Sequence, residues 1–243
     1  MVQSHHIGIL LSDPTVGARL ESVIQDCTQY RSAFLHTTAD LLDDSCVAKC
    51  AFVDMALGRN AVQGILQRLR ELRRPIAIIL LGSFVPPNEA IRLSRLGVSG
   101  IVTDVTSRSQ LRANIHEAFE VHAARKAWLQ RRNSARALID RLSERQRHVL
   151  DLVVRGMPNK QIAGALYLST RTVEKHRAQL YQKTGLLNAI QLLRLHDDAH
   201  QPDSDMFGGN ALQTIRECEH QQPRTEPLYR TSRQTWQEDV ISG

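Results

Sequence analysis

"LSERQRHVLDLVVRGMPNKQIAGALYLSTRTVEKHRAQLYQKTG", residues 142–185, carries three helical segments in succession. The last opens on Ser169, a good N-cap, and meets no proline or internal glycine before Gly185. At about 100° per residue, Val173, Leu180 and Thr184 fall on one stripe, with His176 and Arg177 on its flanks. Arg171, Glu174, Lys175, Ala178 and Gln182 fall on the opposite stripe. That spacing predicts a helix buried along one side only. Upstream, Ser143 caps a segment that ends at Gly156 and turns Val149, Leu150, Leu152 and Val153 inward. A second segment starts at Pro158 and turns Ile162, Ala163 and Leu166 inward. It meets the third across a tight turn at Leu168–Ser169, the signature of a helix-turn-helix. Small Ala163 and Gly164 are expected to let these two helices cross closely. A last segment, 188–195, with Ile190, Leu192, Leu193 and Leu195 apolar, completes a four-helix domain over residues 140–197.

The charge distribution agrees with a division into parts. Of 243 residues, 1–124 are neutral, 125–137 hold five basic and no acidic side chains, 138–197 carry +5, and 198–243 carry −4. A basic middle points to an anionic partner, although a solvated basic face has the same composition. Residues 107–137 read as one long helix or two joined ones, with 124–139 as a basic helical linker. Its bases are expected to be solvated, with phosphate contact a secondary role. The segment 198–243, rich in Gly, Pro, Gln, Asp and Ser, reads as an acidic, largely disordered tail. No apolar run approaches a membrane span, and the four cysteines show no paired metal spacing. A cytoplasmic protein with reduced thiols and no membrane partner is expected.

The first 123 residues alternate. Apolar runs at 7–13, 32–37, 50–54, 76–82 and 100–104 read as buried strands. Helical patterns near 15–26, 39–46, 60–73, 87–97 and 107–124 separate them. Five strand–helix units imply a parallel sheet covered on both faces, with functional groups at the carboxyl ends of the strands. Asp13, Asp54 and Asp104 each end a strand in this reading. Three acids on one rim would bind a divalent cation such as Mg²⁺, or serve as strand-end turn residues; the residues alone leave both open.

"ILLSDPTVGARL" (9–20), "CAFVDMALGRNAVQGILQRLR" (50–70) and "RLGVSGIVTD" (95–104), in that order, resemble a response-regulator receiver domain. The resemblance implies a flavodoxin-like (βα)5 fold over residues 1–123, Asp54 as phosphoacceptor, and Mg²⁺ held by Asp13 and Asp54. It also implies a sensor kinase as partner. Departures are pointed. Ser12 stands where a second acid is usual, and Leu81 where a Ser or Thr grips the phosphoryl group, although Ser83 is close. Asp104 replaces the usual lysine, and Ile101 the usual switch aromatic. No lysine lies between Lys49 and Lys126 to substitute. Exchanging lysine for aspartate turns an attraction into a repulsion, each about 4 kcal/mol at ~4 Å and an effective dielectric of ~20. A degenerate receiver is expected, serving dimerisation or another signal and independent of phosphorylation. A conventional two-component regulator phosphorylated on Asp54 is the alternative.

"LSERQRHVLDLVVRG", "NKQIA" and "LSTRTVEKHRAQLYQKTG" closely resemble the LuxR/FixJ-type DNA-binding domain. The resemblance implies that Asn159 to Ala178 form the helix-turn-helix and that the third helix of the four enters the major groove. Lys175 would then donate to guanine, Glu174 would accept from cytosine N4, and Ala178 would touch a thymine methyl. Lys160, Thr170, Arg171, Thr172, Arg177 and Lys183 are expected on phosphates. The implied partners are double-stranded promoter DNA, a second copy of the chain and RNA polymerase, with no required cofactor. No nucleophile–base pair or glycine-rich phosphate loop appears, so an enzyme is not expected. A co-regulator that contacts only protein is the rival of another class.

Overall fold

Alternating apolar runs become a five-stranded, wholly parallel sheet in the order β2-β1-β3-β4-β5. The computed structural model describes residues 6–27, 30–82, 85–202 and 206. Ser83, Cys218 and the acidic tail beyond 206 lie outside them. The strands are β1 (His6–Leu10), β2 (Arg31–Phe34), β3 (Ala48–Asp54), β4 (Ala77–Leu81) and β5 (Val98–Val102). Between and after them run α1 (Pro14–Cys27), α2 (Thr38–Leu42), α3 (Arg59–Glu71), α4 (Pro87–Arg95) and α5 (Arg108–Asp140).

Strand side chains alternate between faces, so the runs of β1, β3, β4 and β5 feed two cores, whereas the run at 32–37, expected to be buried, forms the largely exposed edge strand β2. Ile78 and Leu80 join Val53, Ile65 and Leu93 on the face covered by α3 and α4. Ile79 and Leu81 join Phe52, Leu20 and Ile115 on the face covered by α1 and α5. Both faces being buried is why the runs are continuous and not alternating. The expected helix 39–46 stops at Leu42. Asp43 ends it by accepting from the Ser45 amide (2.7 Å) and hydroxyl (2.5 Å), a local turn that competes with the helix. Beside this short α2 lies a cavity of about 500 Å³, floored by Gly8, Ala33 and Ala48.

The chain divides into two compact units, and the division falls inside α5, after Lys126. Residues 108–140 are thus one continuous helix of 33 residues. Of the five bases after 124, Lys126 and Arg131 are exposed as expected, but the other three are not simply solvated. Arg125, 4% exposed, donates to the Ile76 carbonyl (2.9 Å) and the Gly97 carbonyl (2.8 Å), just ahead of β4 and β5. Burial pushes its guanidinium pKa down to about 10, so it stays charged. Arg132, also buried, stacks 4.9 Å from the centre of the Trp128 ring. The Nε of Arg136 donates to the Ala199 carbonyl at 3.0 Å. Long aliphatic stems let these side chains pack as apolar groups, a use that a count of charges does not reveal.

The second unit adds α6 (Glu144–Val154), α7 (Asn159–Leu166), α8 (Thr170–Thr184) and α9 (Ala189–His200). Leu142, Val149, Leu150, Val153, Ile162, Val173, Leu180 and Leu192 form its core. The last helix runs five residues beyond the expected 195, because Ala199 continues its buried stripe. Ala163 is buried at the helix crossing as expected, but Gly164 is exposed and a Cβ there would meet open space. Gly164 is therefore not required for the close approach of α7 and α8. No helix among the described residues is long and apolar enough to cross a membrane.

Candidate nucleic-acid interface

The receiver-like rim, where the sequence places its acids, is closed. Asp54 ends β3 with 0% exposure. One carboxylate oxygen accepts from the Ser12 amide at 3.0 Å and the other from the Ala56 amide at 2.8 Å. The second bond caps the single 3-10 turn Met55–Leu57, which the sequence reading did not anticipate. Leu81 stands opposite Asp54 in register across β4 and offers no hydroxyl. Ile101 is packed at 1% exposure in the core.

Asp13 and Asp104 do not end strands; β1 stops at Leu10 and β5 at Val102. Each carboxylate folds back on its own turn. Asp13 accepts from the Thr15 amide (2.8 Å) and hydroxyl, and Asp104 from the Thr106 amide (2.8 Å) and hydroxyl (2.6 Å). The Thr15 hydroxyl, and then its amide, hold the Asp13 carboxyl below the usual carboxylate range. Among the described residues no three His, Cys, Asp or Glu side chains are grouped to hold a metal. The expected Mg²⁺ pair of Asp13 and Asp54 does not fit: one carboxylate serves a surface turn, and the other is sealed under two amides.

In the second unit the geometry is open. Helix α7 ends on Tyr167 in the left-handed region (φ 55°), and the Leu168 amide returns to the Ala163 carbonyl at 2.9 Å. That reversal needs three residues, Tyr167 to Ser169, before α8 begins. The Ser169 hydroxyl accepts from the Thr172 amide at 3.1 Å and caps α8. Gly185 closes α8 with φ 70°, its amide on the Tyr181 carbonyl at 2.9 Å. Val173, Leu180 and Thr184 are buried, and His176 and Arg177 are half-buried.

Arg171, Glu174, Lys175, Ala178 and Gln182 are exposed on the far stripe, with Thr170 and Lys160 exposed nearby in the chain. Thr172 is half-buried, its hydroxyl 2.7 Å from that of Ser169. Two expected phosphate ligands also bond within the domain, Arg177 being half-buried and Lys183 exposed. A terminal guanidinium nitrogen of Arg177 donates to the Asn159 side-chain oxygen at 2.8 Å. Nζ of Lys183 donates to the Gln146 side-chain oxygen at 2.9 Å and to the Arg141 carbonyl at 3.3 Å. Asn159, Gln146 and Gln179 were not singled out from the sequence. A signal existed for Gln146: it stands three residues after Ser143, the capping-box spacing, and its side-chain oxygen accepts from the Ser143 amide at 3.0 Å.

Comparison with known proteins extends these observations. The family described as "Bacterial regulatory proteins, luxR family" matches residues 140–196. The transcriptional regulatory protein FixJ of Rhizobium meliloti is 30% identical over 167 residues, covering 69% of this chain and 79% of its own. The tetrathionate response regulatory protein TtrR of Salmonella typhimurium is 24% identical, over 80% of this chain and 94% of its own. Among solved structures, the response regulator StyR superposes with a TM-score of 0.58 at 20% identity, covering 80% of this chain and 98% of its own.

Proposed function

Because this chain belongs to the luxR family of bacterial regulatory proteins, as a response regulator of the FixJ type, we propose that it binds promoter DNA as a dimer through α8, under a receiver unit that does not depend on phosphorylation of Asp54. The division of α8 into a buried apolar stripe and an exposed polar one carries the reading. An exposed face of that kind, on the second helix of a helix-turn-helix, suits the major groove. Lys175 faces guanine O6 and N7, Glu174 cytosine N4, and Ala178 a thymine methyl. Lys160, Thr170, Arg171 and Thr172 reach phosphates and set the register. The dimer contact is assigned to α9 and its lead-in, where Leu187, Ile190 and Leu193 are 85%, 66% and 40% exposed. Two-fold symmetry then favours half-palindromic operators about one helical turn apart. The site of action is cytoplasmic, RNA polymerase is the downstream partner, and neither a sensor kinase acting on Asp54 nor a metal cofactor is required.

The test is fluorescence anisotropy on fragments recovered by genome-wide footprinting. A chain touching about 6–10 phosphates loses several decades of affinity between roughly 50 and 200 mM salt. Combined Arg171→Ala and Lys175→Ala abolish selective binding if the reading holds. Unchanged affinity and selectivity in that double variant, or binding insensitive to salt, favours the co-regulator that contacts only protein.

A further inference from the structure

The back of α8 is tied to its own domain by side chains that a charge count assigns to DNA. Lys183 lies in the last turn of α8, and Gln146 in the first turn of α6. Gln146 is 4% exposed and uses both ends of its amide. Its oxygen accepts from the Ser143 amide (3.0 Å) and from Lys183 Nζ (2.9 Å), and its nitrogen donates to the Gln179 side-chain oxygen (3.1 Å). Lys183 also reaches the Arg141 carbonyl at 3.3 Å. Nearer the start of α8, Arg177 is fixed to Asn159 at the start of α7 (2.8 Å). Ties to α6, to α7 and to the segment before α6 hold α8 at its middle and its end, on the two flanks of its buried stripe, with Lys183 itself exposed.

Resting on the DNA-binding role proposed above, we infer that Lys183 and Gln146 are positioning residues. They fix the tilt and rotation at which α8 presents its outer face, and Lys183 makes no phosphate contact. Three donors on an ammonium suit this bridging role, since Nζ serves two acceptors on different elements. A charge-assisted bond to the buried Gln146 side chain is stronger than a neutral one. The capping box at Ser143 thereby does two jobs: it starts α6, and through the same Gln146 oxygen it anchors the end of α8.

Salt dependence separates positioning from contact. Each phosphate neutralised adds about 0.9 to the slope of log affinity against log salt on duplex DNA. Anisotropy titrations on one footprinted promoter fragment, at several KCl concentrations, compare the full-length chain with Lys183→Met, Gln146→Ala, Gln146→Glu and the phosphate comparator Lys160→Ala. The expected result is that Lys183→Met and Gln146→Ala weaken binding by roughly three- to tenfold at every salt concentration, with the slope unchanged. The double variant loses less than the sum of the two single losses, because the Lys183–Gln146 bond is shared. Gln146→Glu keeps an acceptor for Ser143 and Lys183 and retains near wild-type affinity. Lys160→Ala lowers the slope by about 0.9. A slope lowered by that amount in Lys183→Met, or undiminished affinity in both Lys183→Met and Gln146→Ala, overturns the inference. Absence of DNA binding by the wild-type chain is a different result and sinks the proposed function itself. Far-UV melting curves confirm that each variant compared is folded at the assay temperature.

Discussion

A small-molecule phosphodonor should leave this protein essentially unmodified, and Asp54 is where the reasoning can be checked. Phosphoryl transfer needs a carboxylate oxygen that the phosphodonor can reach. Here both oxygens accept backbone amides, from Ser12 and Ala56, and the side chain is fully buried. Releasing the carboxylate breaks two charge-assisted bonds. At about 1.5 kcal/mol each, opening costs about 3 kcal/mol. Only about one molecule in 150 is then open, and modification slows by that factor relative to an exposed aspartate. Substitution by asparagine tests the same geometry from the other side. A carboxamide has one acceptor oxygen, so whichever way the new side chain is turned its NH₂ faces one of the two backbone donors. Asp54→Asn should therefore cost about 1–3 kcal/mol with no phosphate involved. At about 3 °C per kcal/mol, the receiver-like unit would melt roughly 3–9 °C lower. The assays are intact-mass spectrometry after incubation with acetyl phosphate, and differential scanning calorimetry of both proteins. Rapid stoichiometric phosphorylation, lost in an Asp54→Asn variant that melts like wild type, would refute the argument.

Other consequences are open to measurement. Arg125→Met strips donors from the buried carbonyls of Ile76 and Gly97, and should lower stability by about 2–5 kcal/mol in a urea titration. His122 is half-buried on the Pro75 carbonyl, and burial holds its pKa below the usual histidine value. Its folded pKa being depressed, it contributes stability above the unfolded value of about 6.5, and that contribution is lost as pH falls below it. The fall in melting temperature between pH 7.5 and 5.5 should be shallower in His122→Gln; an equally steep fall contradicts the assignment. Burial pushes the Cys50 thiol far up, whereas Cys46 is only half-buried. Iodoacetamide followed by peptide mapping should therefore label Cys46 before Cys50. Stripping divalent cations with EDTA should leave DNA affinity unchanged, since the Asp13 carboxylate is bonded to its own turn and that of Asp54 is buried under two amides; a loss restored by Mg²⁺ argues the reverse.

Much of the architecture was legible because the signals were periodic. Five apolar runs specified five strands, four of them buried on both faces with no polar alternation to confuse the reading, and one, β2, an exposed edge. The buried stripe of Val173, Leu180 and Thr184 was equally plain, because helical spacing fixes which residues share a side. What escaped depended on where polar atoms point. Asp13 and Asp104 looked like rim acids from their order in the chain. Each has a threonine two residues on, and an aspartate can as readily fold onto such a neighbour as face a metal. The partners of Lys183 and Arg177 went unseen because nothing in their spacing reveals Gln146, 37 residues away, or Asn159, 18 away. Long flexible side chains choose their partners in three dimensions.

The inward arginines also bear on how the purified protein will behave. An isoelectric point near 9.5 suggests strong, indiscriminate adhesion to any polyanion. Yet the guanidinium groups of Arg125, Arg132 and Arg136 are occupied with carbonyls or an indole ring. Arg125 and Arg132, both buried, are poorly placed to grip heparin or random duplex. A repressor or activator built this way keeps its background stickiness low while its composition stays basic. The ratio between operator and bulk chromosome, which decides occupancy in a genome full of competing sites, gains from every cation kept indoors.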